Sequence, residues 1–393
     1  MTPQSIVNTR PGRSKPSLLR HSVLDAYPGN LLDGVSGVQY YGARVIASSF
    51  PGDVVQLHPD LADREQLDPI LKHYERVGLA VPDRFVFDEN WSVKDQHPDL
   101  ELDAFYFGQA AHAAAPDQSF FEQVRLFNNK NWFIQQCWRY GVPTPGTILF
   151  DRATDFVLEG YRQSSLEYPV YVKAARSASG MHVIRCENER QLLEAIELMP
   201  QGDMDEGFQI QEGLLPDTVF LNMQYVEHSK GLTHGPLTRQ KLDGNAHAGN
   251  IYPSGFSADS VQPITDKVAR VMSRLGMKRS WAIDIAMCPL RGVLGIEANP
   301  RWNGASYYSK PAERLGVGAW EGQYVKPKIG DLRFILNDPS DWEYSRARGN
   351  GIVIINWGPI LGDPPKLGLL VVGDPSQRTR LLQTFEARYC NTI

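Results

Sequence analysis

Cysteine is scarce in this 393-residue sequence, and its distribution excludes two kinds of small scaffold. Four cysteines lie far apart, and no CxxC pair occurs among them: Cys137, Cys186, Cys288 and Cys390. This spacing argues against a zinc knuckle and against a disulfide framework. We therefore expect reduced thiols, and the cytoplasm is the simplest compartment for such a protein.

Long apolar runs and a strong charge of either sign are also missing. No run approaches the about 20 residues of a membrane-spanning helix, and the formal net charge is only −5. The first residues carry basic side chains with no apolar segment behind them, which does not fit a secretory signal, so residues 1–16 are expected to form a flexible arm. We expect neither a membrane nor a nucleic acid as a partner.

Two short apolar runs within residues 281–303, joined by a Pro/Gly turn, predict a buried hairpin. Asp284 interrupts the first run, and Glu297 and Asn299 end the second. Because side chains alternate along a strand, Glu297 and Asn299 share a face that Asp284 can reach. Two adjacent buried carboxylates need a positive charge between them, and Mg²⁺ accepts carboxylate and amide oxygens. The alternative is an ordinary hairpin with salt-bridged or surface acids.

A second hairpin is predicted around a small, flexible loop. The strand PVYVK ends at Lys173, and the loop after it contains Ser177, Ser179 and Gly180 before the chain returns as MHVIRC. Exposed backbone N–H groups of such a loop can cover phosphates, while the strand lysine neutralises them. The pattern is not GxxxxGK[ST], which excludes a P-loop. A mobile surface hairpin is the alternative.

Other stretches predict the surrounding elements. Strand and helix signals alternate over residues 17–115, with strands within 42–50, 53–61 and 103–109 and a helix over 64–80, which suggests a small α/β domain with a parallel sheet. A helical pattern over 119–141 is expected to break at Asn128–Asn129 by capping, and Lys130 follows that break. On its own, Lys130 would be an ordinary surface lysine. Strands are predicted within 351–356 and 366–374, and a helix over 375–389.

The order of these features resembles the ATP-grasp superfamily over residues 125–315. The features are Lys130, Lys173, a strand ending in Gln-Glu-Gly, and Asp284 followed by Glu297-Ala298-Asn299. The resemblance implies an α/β (α+β) fold in which ATP lies between two α+β subdomains. Lys130 and Lys173 would contact the phosphates, and Asp284, Glu297 and Asn299 would hold Mg²⁺. Adenine would lie against four consecutive residues: Gln211, Glu212, Gly213 and Leu214.

Further residues are assigned by the same resemblance. Asp217 would approach the ribose, and Arg301 of ANPRWNG would face an acyl phosphate. D-alanine–D-alanine ligase-like members carry an arginine two residues before the first metal-binding aspartate, where this chain has Ala282. Arg239, Arg301 or Lys241 would then have to supply that charge. His247 is expected to be structural or solvent-facing.

The implied domain order is a pre-ATP-grasp α/β domain (17–125), an ATP-grasp domain (126–330, with a lid at about 145–215) and a tail (331–393) that completes it. Three segments resemble ligases with a pre-ATP-grasp domain, as in peptide ligases of natural-product biosynthesis: LFNNKNWFIQQCWRYGVPTP, TRQKLDGNAHAGNIYPS and GIVIINWGPILGDPPKLGLLVVGD. The implied reaction joins a small-molecule carboxylate to an amine through an acyl phosphate, and needs no nucleophilic side chain. Two alternatives stay open: a thiol or hydroxyl nucleophile, and a nucleotide-binding protein without turnover. Relatives often form homodimers, so a second copy is an allowed partner.

Overall fold

Three sheets organise the molecule. The computed structural model describes residues 16–21, 37–105, 118–177, 182–199, 207–244 and 246–390. A four-stranded parallel sheet comes first, a four-stranded antiparallel sheet second and an eight-stranded antiparallel sheet last. In the part of the chain that is described, no helix is both long and apolar enough to cross a membrane.

The first sheet confirms the predicted small parallel sheet. Its strands, in the order β3-β2-β1-β4, are β1 (Ser17–Arg20), β2 (Val54–Leu57), β3 (Arg84–Phe87) and β4 (Glu101–Ala104). Helix α1 (Arg64–Val77) forms where the 64–80 pattern predicts it. Neighbouring residues on β1 face opposite sides of the sheet, so Leu18 and Leu19 belong to different hydrophobic cores.

The prediction of a strand within residues 42–50 is wrong. Val38–Ser48 forms a 3₁₀ helix, and nearly all of its residues are buried. A continuous apolar run is compatible with any fully buried element, so periodicity could not distinguish the two. The helix packs closely on a second 3₁₀ helix, Gly358–Leu361, where a Cβ on Gly358 would lie 2.3 Å from the Tyr40 carbonyl oxygen. This contact places the 3₁₀ helix beside the cavity described below.

The helical pattern at 119–141 is divided as predicted. Helix α2 (Gln118–Phe127) ends before Asn128, and α3 (Lys130–Arg139) begins after Asn129. The Asn129 side chain accepts a hydrogen bond from the Trp132 amide at 3.0 Å, which caps α3. Lys130 is therefore the buried first residue of a helix rather than a surface lysine.

The second sheet has the strand order β5-β8-β6-β7 and its own small core. Its strands are β5 (Thr147–Phe150), β6 (Val170–Ala174), β7 (Val183–Cys186) and β8 (Phe208–Glu212). Helices α4 (Leu158–Arg162) and α5 (Glu189–Glu197) accompany it, and Leu192, Ala195 and Ile196 of α5 are buried in that core. We call this unit the lid sheet.

The third sheet runs β13-β12-β9-β10-β11-β14-β16-β15. Its strands are β9 (Val219–His228), β10 (Gly231–Asp243), β11 (Ala246–Tyr252), β12 (Arg279–Cys288), β13 (Gly292–Asn299), β14 (Trp320–Val325), β15 (Gly351–Asn356) and β16 (Leu367–Val372). The remaining α-helices of the described residues are α6 (Ala258–Arg274), α7 (Ser306–Leu315), α8 (Leu332–Leu336) and α9 (Pro375–Tyr389). The predicted strands and helix of the tail are thus present, and the tail strands extend the large sheet.

The beginning and the end of the chain share one hydrophobic core. This core contains Val45 of the first 3₁₀ helix and Tyr74 of α1, together with Ile354 of β15 and Leu369 of β16. The segments predicted as a first domain and as a tail therefore pack against each other. Their domain boundaries stay predictions, but the shared core holds the first 3₁₀ helix against the large sheet.

Candidate active site

A cavity of about 860 Å³ lies where the first 3₁₀ helix, the lid sheet and the large sheet meet. Each unit contributes polar side chains to its wall: Arg44 from the helix, Lys173 and Gln211 from the lid sheet, and Asp284 and Glu297 from the large sheet. Residues from distant parts of the chain therefore converge on one concave site, which is the usual arrangement of a ligand pocket.

The predicted hairpin is present, and its acids face the cavity side by side. Asp284 of β12 pairs directly with Glu297 of β13, and on its other side with Asn222 of β9. Asn222 donates from Nδ2 to Asp284 Oδ1 at 2.5 Å, and Asn299 donates to Asp284 Oδ2 at 2.9 Å. Because directly opposed residues of neighbouring strands share a face, three strands present one continuous row of oxygen-bearing side chains.

The two acids have opposite electrostatic environments. Burial, and then the neighbouring Glu297 charge, raise the pKa of Asp284 to about 7, although hydrogen bonds from Asn222 and Asn299 oppose this. Burial alone would also raise the pKa of Glu297, but the charges of Lys130, Lys173 and Arg301 outweigh burial and lower it. Two coupled carboxylates of this kind titrate as a pair. A cation between them would remove the repulsion.

Both predicted lysines lie at the cavity wall. Lys130 Nζ forms an ion pair with Glu297 Oε2 at 3.1 Å and donates to the carbonyl and hydroxyl oxygens of Ser177 at 3.0 Å. Lys173 Nζ donates to Gln211 Oε1 at 2.6 Å. Burial lowers the pKa of Lys173 to about 8, and the Lys130 charge adds to this, while Glu297 opposes it. Two lysines thus stand beside the acidic row, where they can also attract an anion that enters the cavity.

Three residues of the segment predicted to meet adenine line the cavity: Gln211, Glu212 and Leu214. Glu212 Oε1 accepts from the Gly146 amide at 2.6 Å and from Arg291, which fixes this carboxylate at the wall. The Gly213 amide donates to the Pro169 carbonyl at 2.8 Å, and a Cβ on Gly213 would lie 2.6 Å from that oxygen. Leu214 lines the cavity beside two other apolar side chains, Phe220 and Ile296.

Three predicted contacts are not in place. Arg239 and Lys241 lie on the face of β10 opposite the cavity, since the intervening Gln240 lines it. Arg239 is exposed, and Lys241 forms an ion pair with Glu321. The prediction that either residue supplies charge at the reacting group is therefore wrong. Asp217 is exposed in the turn before β9 and does not line the cavity.

Arg301 does lie at the cavity. It is buried and donates from Nη1 to Asn299 Oδ1 at 3.1 Å, so it is held beside the acidic row. Ser177 is also at the wall, against Lys130. Ser179 and Gly180, which the sequence predicts as phosphate contacts, lie outside the described residues.

Sequence reasoning missed several polar residues of the wall, among them Asn222, Arg44 and His247. Asn222 interrupts the apolar run FLNMQYV, and a buried amide in such a strand was an available signal. Arg44 gave none, because its stretch predicts a strand. His247 approaches so closely that a Cβ on Gly304 would lie 2.3 Å from its ring. His247 Nε2 contacts Asn250 Oδ1 at 2.7 Å, and Asn250 Nδ2 donates to Thr238 at 3.0 Å.

The acidic row fits a magnesium ion. It combines two carboxylates with amide oxygens, the hard ligands that Mg²⁺ prefers. The Oδ1 atom of Asn222 is buried and has no hydrogen-bond partner among the described residues. An unsatisfied buried oxygen beside a coupled carboxylate pair is costly without a further ligand, so Asp284, Glu297, Asn299 and Asn222 form a suitable donor set.

Solved structures share this fold at low sequence identity. No protein-family model matches the chain, and no curated protein matches it. An ADP complex of N5-carboxyaminoimidazole ribonucleotide synthetase has a TM-score of 0.61 at 10% identity and covers 96% of this chain and 97% of its own. The ADP complex of the Staphylococcus aureus synthetase has a TM-score of 0.59 at 13% identity, with 96% and 98% covered.

A third match is the biotin carboxylase domain of 2-oxoglutarate carboxylase from Hydrogenobacter thermophilus, in complex with MgADP, ADP and bicarbonate. Its TM-score is 0.59 at 12% identity, and the match covers 95% of this chain and 90% of that one. These neighbours are ATP-grasp ligases. The chain therefore has the ATP-grasp fold, with a parallel-sheet unit before it, as the sequence resemblance predicts.

Proposed function

We propose that this protein is an ATP-dependent ligase that activates a carboxylate as an acyl phosphate and joins it to an amine. The observation that carries the proposal is the charge arrangement at one end of the cavity. Glu297 is flanked by Lys130 and Lys173 and paired with Asp284 across the hairpin. Such an arrangement suits the positioning and charge neutralisation that phosphoryl transfer requires.

The cavity wall also offers an apolar surface for the base of a nucleotide and positive charge for its phosphates. Leu214, Phe220 and Ile296 present an apolar surface on which a purine ring can lie. Lys173 and Lys130 stand next to it, where they can neutralise phosphate oxygens. Lys130 also holds Ser177 at this wall through the carbonyl and hydroxyl oxygens of the serine.

Asp284, Glu297, Asn299 and Asn222 would hold Mg²⁺. When bound there, the ion would neutralise charge on the phosphates during transfer. Arg301 follows directly after this row and is buried, so its guanidinium is placed to stabilise an anionic acyl phosphate. Arg239 and Lys241 have no part in this function because they face away from the cavity.

His247 favours a nucleophile that must lose a proton. Asn250 donates from Nδ2 to Thr238, so its Oδ1 accepts from His247 Nε2, and His247 Nδ1 is left as a proton acceptor. Burial lowers the pKa of His247, and the Arg44 charge adds to this while the Asn250 hydrogen bond opposes it. A neutral imidazole at the cavity wall can take a proton from an attacking amine. The names of two fold neighbours also describe a carboxyl group carried on nitrogen.

The proposal is tested by ADP release from ATP and Mg²⁺ with a panel of carboxylates, and with hydroxylamine added to trap an acyl phosphate as a hydroxamate. We expect ADP and hydroxamate to appear together, and only with particular carboxylates. Arg239→Ala and Lys241→Ala should turn over like the wild type, because neither side chain reaches the cavity. If no carboxylate increased the formation of ADP from ATP, the proposal would be contradicted. Tight binding of ADP by a protein that does not turn over ATP would favour the non-catalytic alternative. Comparing amine, thiol and hydroxyl acceptors then identifies the nucleophile.

A further inference from the structure

Arg44 is a buried arginine of the cavity wall that belongs neither to the acidic row nor to the two lysines. It lies in the first 3₁₀ helix, is only 8% exposed, and lines the cavity. The close contact between that helix and Gly358 leaves no room for a side chain between them. The helix is therefore held firmly on the large sheet, and Arg44 is a fixed part of the wall.

The guanidinium of Arg44 has no anionic partner in the described part of the chain. Its Nε and Nη2 atoms are buried without a hydrogen-bond partner there, and no carboxylate of those residues forms an ion pair with it. Arginine stays charged in proteins and carries five N–H donors in a planar fork. A buried charge without a partner is unfavourable, so an arginine held in this way indicates an anionic ligand.

Aromatic rings hold the guanidinium by its flat faces. Its central carbon lies 3.8 Å from the Tyr307 ring centroid, 5.2 Å from that of Phe105 and 5.8 Å from that of Tyr41. Cation–π contacts of this kind offset part of the cost of burying the charge. They do not use the N–H groups in the plane of the guanidinium, so that the fork remains available for bidentate binding of a carboxylate or phosphate.

Arg44 stands apart from the phosphate cluster, by which we mean Lys130, Lys173 and the acidic row. Arg301 also contacts the Phe105 ring, at 4.7 Å from its centroid, and donates to Asn299 of the acidic row. Phe105 thus lies between Arg301, which is tied to the metal-binding residues, and Arg44, which is not. An anion on Arg44 would belong to a molecule that extends past the reacting group, away from ATP.

We infer that Arg44, with the rings of Tyr41, Phe105 and Tyr307, forms a subsite that binds the carboxylate or phosphate of a second substrate with a flat or apolar body. The inference deepens the proposed ligase function. It rests on that function only in calling the bound molecule a substrate. The subsite itself rests only on the buried arginine, which has no anionic partner in the described residues, and on its rings. Tyr41 also stacks on Tyr324, at 6.0 Å between centroids, so the wall continues as an aromatic surface on which such a body can lie.

The test uses three ring compounds that differ in charge: benzoate, phenyl phosphate and neutral benzamide. Their binding to the full-length protein is measured by calorimetry with ADP and Mg²⁺ at saturation, so that the phosphate cluster is occupied. We expect one anion or both to bind at least about tenfold more tightly than benzamide, which corresponds to a contribution of one charge-assisted pair. Benzoate alone would identify a carboxylate, and phenyl phosphate alone a phosphate.

Arg44→Gln should remove this preference while leaving ADP affinity unchanged, and Arg44→Lys should restore part of it because a point charge replaces the fork. Arg239→Gln, an exposed arginine of β10, is the matched control and should behave like the wild type. Arg44→Gln should unfold at no lower temperature than the wild type, because a buried unpartnered charge is removed; a structural arginine would behave oppositely. Equal binding of anions by wild type and Arg44→Gln, or a parallel loss of ADP binding, would overturn the inference.

The same measurements separate this inference from the proposed function. A protein without carboxylate-dependent ADP release could still bind benzoate or phenyl phosphate through Arg44, which would retain the subsite and reject the ligase. A ligase whose anion preference is unaffected by Arg44→Gln would retain the function and reject the subsite.

Discussion

Two carboxylates, the partly buried Glu297 and the buried Glu343, each bind nitrogen groups, and they differ in how completely their charges are paired. Glu343 accepts from Nδ1 of His73 at 2.6 Å and from two nitrogens of Arg76, at 2.9 Å for Nε and 2.7 Å for Nη2. His73 Nε2 accepts in turn from the Ile354 amide at 3.0 Å. One negative charge meets one positive charge, and both histidine nitrogens are occupied.

Glu297 stands among three cations and beside a second carboxylate whose pKa is raised. Its cluster faces a cavity of about 860 Å³, and an amide oxygen of the same row has no partner in the described residues. The comparison teaches that burial of charge alone does not mark a functional site. Incomplete pairing at an open cavity does, whereas complete pairing between packed elements marks a structural one.

The largest expected effect comes from removing the negative charge of Glu297, whose cluster is incompletely paired. Glu297→Gln should lower ADP release by about 10²–10³-fold, because electrostatic groups at a phosphoryl-transfer site have effects of this order. Its unfolding free energy should change less than that of the Glu343 variant below, since Lys173 can lose its proton and the cavity admits water. Steady-state ADP release and urea unfolding measure the two quantities. Unchanged turnover in Glu297→Gln would reject the phosphate-site assignment.

The balanced cluster of Glu343, His73 and Arg76 should respond in the opposite way, with a loss of stability and no loss of turnover. Glu343→Gln keeps the shape of the side chain but removes the charge that pairs with His73 and Arg76, which connect α1 to the segment before β15. We expect a loss of about 1–3 kcal/mol of unfolding free energy, because Arg76 is 41% exposed and can be hydrated again. ADP release by the folded protein should be unchanged.

Asp341→Asn is the matched control for Glu343→Gln. Asp341 is 67% exposed and lies 3.5 Å from Arg388, and surface pairs of this kind contribute little. Its unfolding free energy should stay within about 0.5 kcal/mol of the wild type. If Glu343→Gln abolished turnover without loss of stability, the two clusters could not be distinguished by how completely they are paired.

How far the sequence predicts each region follows from the range of the contacts involved. Asp284 and Glu297 belong to one hairpin, so strand alternation was enough to place both on one face. Arg239 and Lys241 also belong to a hairpin, but no local signal indicates which face of β10 meets the cavity, and the prediction chose the wrong one. The cap at Asn129 predicted where the helix of Lys130 begins, but only the resemblance to the ATP-grasp superfamily assigned Lys130 to the site.

The wall around Arg44 depends on contacts between distant segments. Arg44 reaches Tyr307 only because the first 3₁₀ helix packs on Gly358, and no single stretch encodes that contact. The same packing made the 42–50 run a helix rather than a strand. The charged residues of a single hairpin are therefore readable from the sequence, while the aromatic wall around Arg44 is not.

The smallest expected effect is a pH dependence that belongs to the balanced cluster. Burial lowers the pKa of His73, and Arg76 adds to this while Glu343 opposes it. A proton on Nε2 would face the Ile354 amide, which already donates there. The histidine is thus neutral in the folded state and gains its proton more readily when unfolded. Its contribution to stability is complete above the ordinary value of about 6.5 and is lost as the pH falls below it.

The loss can reach at most about 1.4 kcal/mol for each pH unit, the limit for a single proton. The pKa of Glu343 is itself lowered despite burial, through its bonds to His73 and Arg76, so its own contribution stays intact until more acid pH. Urea unfolding between pH 7.5 and pH 5.5, about the range in which a histidine titrates, should show a steeper loss for the wild type than for His73→Gln. Parallel curves would mean that His73 does not titrate with folding, and the balance assigned to its cluster would be wrong.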